Sequence, residues 1–226
     1  GGLLSEWVAR GARAWAHADE ADTVLSARFW FERRAPGYRE LMLRWGLREE
    51  LVSKVEKASE KFRDLGGETP RESLVALKGE SASVGIPGLN LRAIHVPGHS
   101  EGQIVLFDSS ANVLFSADHV LERVTPNTGV YVPPYRGSTT GLIHYTESLE
   151  RLRALPRDVL VCPGHGRAFR GLHARIDEIL EHHESRRTTL LQLLEQGEKT
   201  IGDLALAIWP VIDPQNLTLA CREVHG

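Results

Sequence analysis

The chain has 226 residues, 42% of them hydrophobic, enough for a sizeable core and against disorder as its global state. A formal charge of −3 gives no general attraction to nucleic-acid phosphates or anionic membrane, and two cysteines, Cys162 and Cys221, exclude a disulfide framework and a four-cysteine zinc site. No window approaches the roughly 18 consecutive apolar residues of a membrane span and no secretory-type leader opens the chain, so a cytoplasmic protein without a membrane partner is expected.

The opening "GGLLSEWVARGARAWAH" leads from two glycines into an apolar-periodic helix over residues 3–10 (Leu3, Leu4, Trp7, Val8), which Gly11 ends. "ARAWAHADEAD" then reads as a buried strand entering an acidic turn. From Arg28 to Leu65 apolar residues recur at helical spacing (Leu41, Leu43, Trp45, Leu47, Leu51, Val52, Val55). Breaks at Pro36-Gly37 and Gly46 predict two or more helices there, forming a lid. Between Ser73 and Val120 the period shortens: "SLVALKGESASVGI", "LNLRAIHV", "GQIVLFD" and "NVLFSADH" are β-rich runs separated by Gly, Pro and Asn, the pattern of a packed sheet. Residues 124–141, rich in proline, predict a loop. "HYTESLERLRAL" predicts an amphipathic helix, and "DVLVCPGHG" a strand running into a glycine turn.

From Leu172 a long helix is predicted, stopped by Gly197. Thr200 to Asp203 is a capping-box opening for a second apolar helix ending at Trp209-Pro210, and "LTLACREVHG" is a third helical piece. The expected organisation is an α/β (α+β) domain over 1–171 and a helical extension over 172–226, both incomplete at the chain ends.

Three stretches share one design: Val96-Pro97-Gly98-His99, Phe115-Ser116-Ala117-Asp118-His119 and Val161-Cys162-Pro163-Gly164-His165-Gly166. In each, a β-rich run ends in a metal-capable side chain among small or turn-forming residues. Zinc takes imidazole nitrogen and carboxylate oxygen from rigid elements, for which strand ends are suited, and a glycine before a histidine lets the backbone approach closely. A histidine after Pro-Gly, taken alone, is more often a hydrogen-bonded turn residue than a ligand; three together strengthen the metal reading, but the separations are too long for a local motif. Both readings stand on the residues alone.

"VPGHSEGQIVLFD", "VLFSADHVL" and "VCPGHGRAF" resemble, in order and separation, the third, fourth and fifth metal motifs of the metallo-β-lactamase-fold hydrolases, over residues 1 to about 173. The helical tail resembles the winged-helix-like extension of one bacterial and mitochondrial β-lactamase-like branch. The resemblance implies the C-terminal part of an αββα sandwich with one or two zinc ions at the sheet edge. His99 would serve the first zinc, Asp118 would be the bridging catalytic carboxylate, and His165 would serve the second zinc. It further implies hydrolysis of a small-molecule thioester, lactone or related ester through a zinc-bound hydroxide, in the manner of glyoxalase-II-like enzymes. The walls would be the 28–65 helices and the 124–141 loop, with Tyr131, Tyr135 and Arg136 facing substrate.

His95 matches no ligand of the family and reads as structural, and His119 as a residue packed behind the ligands or in the core. His17 reads as a turn histidine, and His182 and His183 as solvated. The family's His-x-His-x-Asp-His run, which lies before a Gly-Gly and a helix like that of residues 3–10, occurs nowhere in the sequence. The expectation is a fragment of a complete hydrolase, inactive alone. The alternatives are a ribonuclease-type nucleic-acid processor, for which Arg167 and Arg170 before the tail and Arg186 and Arg187 within an otherwise acidic tail offer charge, and a degenerate non-catalytic scaffold. A homo-oligomer is compatible with each.

Overall fold

Alternation along a strand decides which face of a sheet each residue joins, and here it sorts the chain into layers. The computed structural model describes residues 3–60, 63 and 67–226. The Gly1-Gly2 opening and, apart from Arg63, the end of the 28–65 helical stretch lie outside the described residues. Helix α1 (Leu4–Ala9) ends at Gly11, φ +90°, and leads to strand β1 (Ala14–His17), which pairs in parallel with β2 (Leu74–Leu77). The apolar stripe of α1 is not buried: Leu3 and Trp7 are 63% and 58% exposed.

Strands β3 (Ser81–Ser83), β4 (Leu91–His95), β5 (Ile104–Asp108), β6 (Val113–Ala117) and β9 (Leu160–Pro163) form a five-stranded sheet in the order β3-β4-β5-β6-β9, antiparallel except for the parallel β6-β9 pair. The run 73–86 is therefore two strands in different sheets rather than one, because Gly79 at φ +77° turns the chain between them. One face of the large sheet presents Ile94, Val105, Phe107, Leu114 and Val161 to α5 (Leu142–Leu152) and to the first turns of α6 (Leu172–Leu194), where Leu149, Leu172, Ile176 and Ile179 are buried. The opposite face, with Leu91, Ala93, Ile104 and Leu106, packs on Trp15 and Leu77 of the β1-β2 pair. Helices, sheet and sheet make three successive layers.

Helices α2 (Ala21–Leu25), α3 (Ala27–Arg44) and α4 (Glu49–Glu60) fill the segment between β1 and β2. The break expected at Pro36-Gly37 is not there: α3 runs through both residues. A Cβ on Gly37 would lie 2.2 Å from Val132 Cγ1, so this glycine admits a neighbouring strand rather than stopping the helix. Gly46, at φ +83°, does end α3. These helices are a packed layer and not a free lid. Met42, Trp45, Leu47 and Val52 share a second core with Leu204 and Ala205 of α7 (Ile201–Ile208) and Leu217, Ala220, Cys221 and Val224 of α8 (Pro214–His225).

The loop expected at 124–141 contains a hairpin, β7 (Val130–Tyr135) and β8 (Ser138–Thr140). Arg136 and Gly137, at φ +48° and +83°, form the two-residue turn whose twist suits paired strands. Pro133 and Pro134 fall where the register is irregular, so their missing N–H groups cost the ladder nothing. In the tail the capping box forms as predicted: the Thr200 hydroxyl accepts from Asp203 N at 3.1 Å, and the Asp203 carboxylate from Thr200 N at 3.0 Å. Helix α6 buries Leu172 and Ile176 in the main core and packs Leu190 and Leu193 on the second, so the two cores are tied by one helix across the 171/172 division. Among the described residues no helix is long and apolar enough to cross a membrane.

Candidate metal centre

Strands β4, β6 and β9 run in the same direction, so their C-terminal ends share one edge of the sheet. The side chains that follow them are His99, Asp118 and His165, and the structure brings these three together. Between Phe115 and Ala117 the β6-β9 register shifts, and Ala117 takes φ +46°, a left-handed backbone that a non-glycine residue adopts only at a cost. Gly164 N donates to Ala117 O at 2.7 Å, holding the kink. The kink turns Asp118 toward the neighbouring turn, where a Cβ on Gly164 would lie 2.5 Å from Asp118 Oδ1.

The His99 loop is held from both sides. The Ser148 hydroxyl of α5 donates to Pro97 O at 2.9 Å, and Glu20 Oε2 accepts from Ser100 Oγ at 2.6 Å and from Gly102 N at 3.2 Å. Gly98, at φ +149°, sits where a Cβ would come within 2.6 Å of Tyr145 Cα. His99 Nδ1 lies 2.9 Å from Asn127 O; a carbonyl only accepts, so Nδ1 carries the proton and Nε2 keeps its lone pair. That Nε2 faces Asp118 Oδ2 at 4.0 Å, and His165 Nε2 lies 3.6 Å from Asp118 Oδ1.

The carboxylate therefore stands between two imidazoles, one on each oxygen. Both separations are longer than the roughly 3.3 Å edge of a tetrahedral shell with bonds of 2.0–2.1 Å, the His99 one by about 0.7 Å, so the imidazoles would have to close on the carboxylate for an ion to be held, and nitrogen with carboxylate oxygen suits a zinc-type ion. The side chains are 36% (His99), 37% (Asp118) and 78% (His165) exposed, so the site opens to solvent rather than being sealed in the core. The sequence offered no sign of Asn127, which acts through its backbone carbonyl. Gly164 stood within a quoted motif, but its clearance of Asp118 is visible only in three dimensions.

The other candidates lie elsewhere. His119 is fully buried, edge-on to Tyr145 with centroids 4.8 Å apart, and burial pushes its pKa down to about 3. Neither of its ring nitrogens has a hydrogen-bond partner among the described residues, which marks a neutral core imidazole. Tyr131 is buried and offers a cleft no open face, its ring 5.5 Å from that of Tyr135. Tyr135 donates to Asp19 Oδ2 at 2.5 Å, with the Arg136 guanidinium over its ring. His17 caps the turn Ala18–Glu20 and stacks on His95. His182 and His183 are not simply solvated as expected: His182 pairs with Glu223 at 3.2 Å, and His183 lies edge-on to Tyr145, because α6 is covered on that side by α8 and the core.

The sequence model of the Metallo-beta-lactamase superfamily matches residues 5–165. The probable metallo-hydrolase YqjP of Bacillus subtilis is 27% identical over 146 residues, 63% of this chain and 45% of that protein. The lactamase-like protein nscB of Neosartorya fischeri is 32% identical over 119 residues, 52% of this chain and 33% of that protein. The chain thus spans less than half the length of these curated relatives. Among solved structures, the metallo-beta-lactamase family protein TTHA1429 from Thermus thermophilus superposes with a TM-score of 0.76 at 28% identity, covering 99% of this chain and 68% of that one. A beta-lactamase domain protein from Burkholderia ambifaria has the same fold, with a TM-score of 0.75 at 23% identity over 99% of this chain and 62% of its own.

Proposed function

Because the chain belongs to the metallo-beta-lactamase superfamily and shares its fold, we propose that it serves a metal-dependent hydrolase cleaving a thioester, lactone or related ester, with His99, Asp118 and His165 as ligands to one or two zinc ions. The observation that carries this reading is the Asp118 carboxylate set between His99 and His165, each imidazole on its own oxygen. When bound, zinc supplies an acidified water and a polarised acyl carbonyl. The chain's residues do the positioning. Asn127 fixes the His99 tautomer, the Ala117 kink and Gly164 aim Asp118, and Asp118 orients the attacking water and accepts its proton on a carboxylate oxygen.

Beside this rim a groove runs along Arg123, Thr125 and Asn127 to His182, Arg186 and Trp209 of the tail, with the Arg186 guanidinium 4.6 Å from the centre of the Trp209 ring. This groove takes the acyl part of the substrate; Tyr135 and Arg136, expected to face it, stand instead at Asp19 on the hairpin and do not line it. No His-x-His run occurs in the sequence, so these residues alone hold zinc weakly. The test is zinc binding by the chain, with hydrolysis of thioesters and lactones measured alongside. Asp118→Ala is expected to abolish turnover and lower zinc affinity, whereas turnover and affinity unchanged by that substitution overturn the assignment.

A further inference from the structure

Helix α3 places Phe31, Ala35, Tyr38 and Met42 at helical spacing, one stripe along its side. With Val55 of α4 and Arg222 of α8, that stripe lines a partly open cavity of about 130 Å³ beside the second core. Protein interiors leave few voids larger than a water molecule, because each one forfeits packing contacts. Here Ala35, the smallest side chain of the stripe, stands between Phe31 and Tyr38 and leaves the room. The Tyr38 hydroxyl donates to Val130 O, which leaves the ring as its contribution to the wall.

Two charged side chains, Arg222 and Glu56, face the cavity. Glu56 is held by Arg39, whose guanidinium also holds Glu49. Arg222 is not balanced in this way. Its guanidinium lies over the Tyr38 ring, 5.6 Å from the centroid, and among the described residues no carboxylate stands within ion-pair distance of it. The adjacent Glu223 turns instead to His182 and Arg186. A guanidinium placed over a ring keeps N–H groups for a partner, and their fork matches a carboxylate through two parallel hydrogen bonds.

We propose that this cavity binds a small apolar carboxylate, its chain between α3 and α4 and its carboxylate on Arg222. Because an apolar cavity of about 150 Å³ accepts benzene, this one takes a chain of roughly four to six carbons. The ligand touches α3, α4 and α8 together, so its binding stabilises their packing by mass action. The site shares no residue with the Asp118 centre and does not depend on the hydrolase reading.

The experiment uses the 226-residue chain, released from a cleavable tag, with its one methionine, Met42, labelled with carbon-13 at the methyl, so that a single NMR signal reports the cavity wall. Hexanoate at neutral pH is expected to move that signal saturably, with a Kd of about 1 mM or below. Hexanol, which has the chain without the charge, should bind about tenfold more weakly, and Arg222→Gln should weaken hexanoate by about as much while leaving hexanol unchanged. Ala35→Leu, which fills the cavity, should abolish binding of both, with circular dichroism to confirm the fold. A signal that hexanoate does not move, hexanol binding as tightly as hexanoate, or hexanoate binding undiminished in either variant overturns the proposal. A signal that moves with protein concentration instead makes a second copy of the chain the occupant, and overturns it too. The comparison of hexanoate with hexanol needs only the unaltered chain, so it decides the matter even where a variant fails to fold.

Discussion

Gly164 and Gly98 show how similar absences of a side chain serve different ends. At Gly164 an added methyl meets the tip of Asp118, 2.5 Å away, and presses on the Ala117 backbone at 3.2 and 3.3 Å. Gly164→Ala is therefore expected to push the carboxylate off its imidazoles and weaken zinc binding about tenfold or more, with a smaller loss of stability than at Gly98. At Gly98 the backbone is left-handed and a Cβ would strike Tyr145 Cα, which cannot move without α5. Gly98→Ala should cost about 2 kcal/mol or more in stability, measured by urea unfolding, before any effect on metal is considered. His225 carries a pH dependence of its own. Its Nδ1 accepts from Trp45 Nε1 at 3.4 Å, its Nε2 faces Thr139 Oγ1 at 3.0 Å, and burial pushes its pKa down. The unfolded chain, with an ordinary value near 6.5, then binds a proton that the folded chain refuses, so stability falls as pH drops below about 6.5. Urea midpoints at pH 7 and pH 5 should differ, and His225→Gln should narrow the difference. Of these residues, only the metal-type side chains were legible in the sequence. His99, Asp118 and His165 stood out because each ends a β-rich run beside a turn, while the clearance at Gly164 and the partners of His225 are made by residues distant in the chain.

The runs of alternating residues from 91 to 117 became β4, β5 and β6 with little change, because both faces of that sheet are covered and the alternation must be kept. The β7-β8 hairpin was missed because its signal, Arg136-Gly137, is short and follows two prolines that ordinarily mark a loop. The uninterrupted α3 was missed for the opposite reason: Pro36-Gly37 is a strong local breaker, and only the approach of Val132 explains why a glycine belongs there. The capping box at Thr200 was readable because a cap is local chemistry. Thr200→Ala removes the hydroxyl that accepts from Asp203 N, and should cost about 1 kcal/mol by chemical denaturation. A larger loss would mean that its contact with Gly46, where α7 meets the end of α3, matters more than the cap.

Across the whole molecule, the second core joins residues 42–52 to residues 204–224, and α6 reaches into both cores. No periodicity in the sequence announces that pairing, since each helix displays an apolar face without naming its partner. With one helix shared, the cores should melt together: tryptophan fluorescence, reporting Trp45 in one core and Trp15 beside the sheet, should follow the same transition as far-ultraviolet circular dichroism. Two separated transitions would show that α6 is a hinge rather than a tie. The same pairing sets a timetable for biosynthesis. Residues 27–60 leave the ribosome long before 201–225, and at 5–20 residues per second their apolar faces wait on the order of ten seconds for the helices that cover them. A nascent chain stalled before α7 would present those faces to chaperones, and the emergence of α7 and α8 is what ends that exposure.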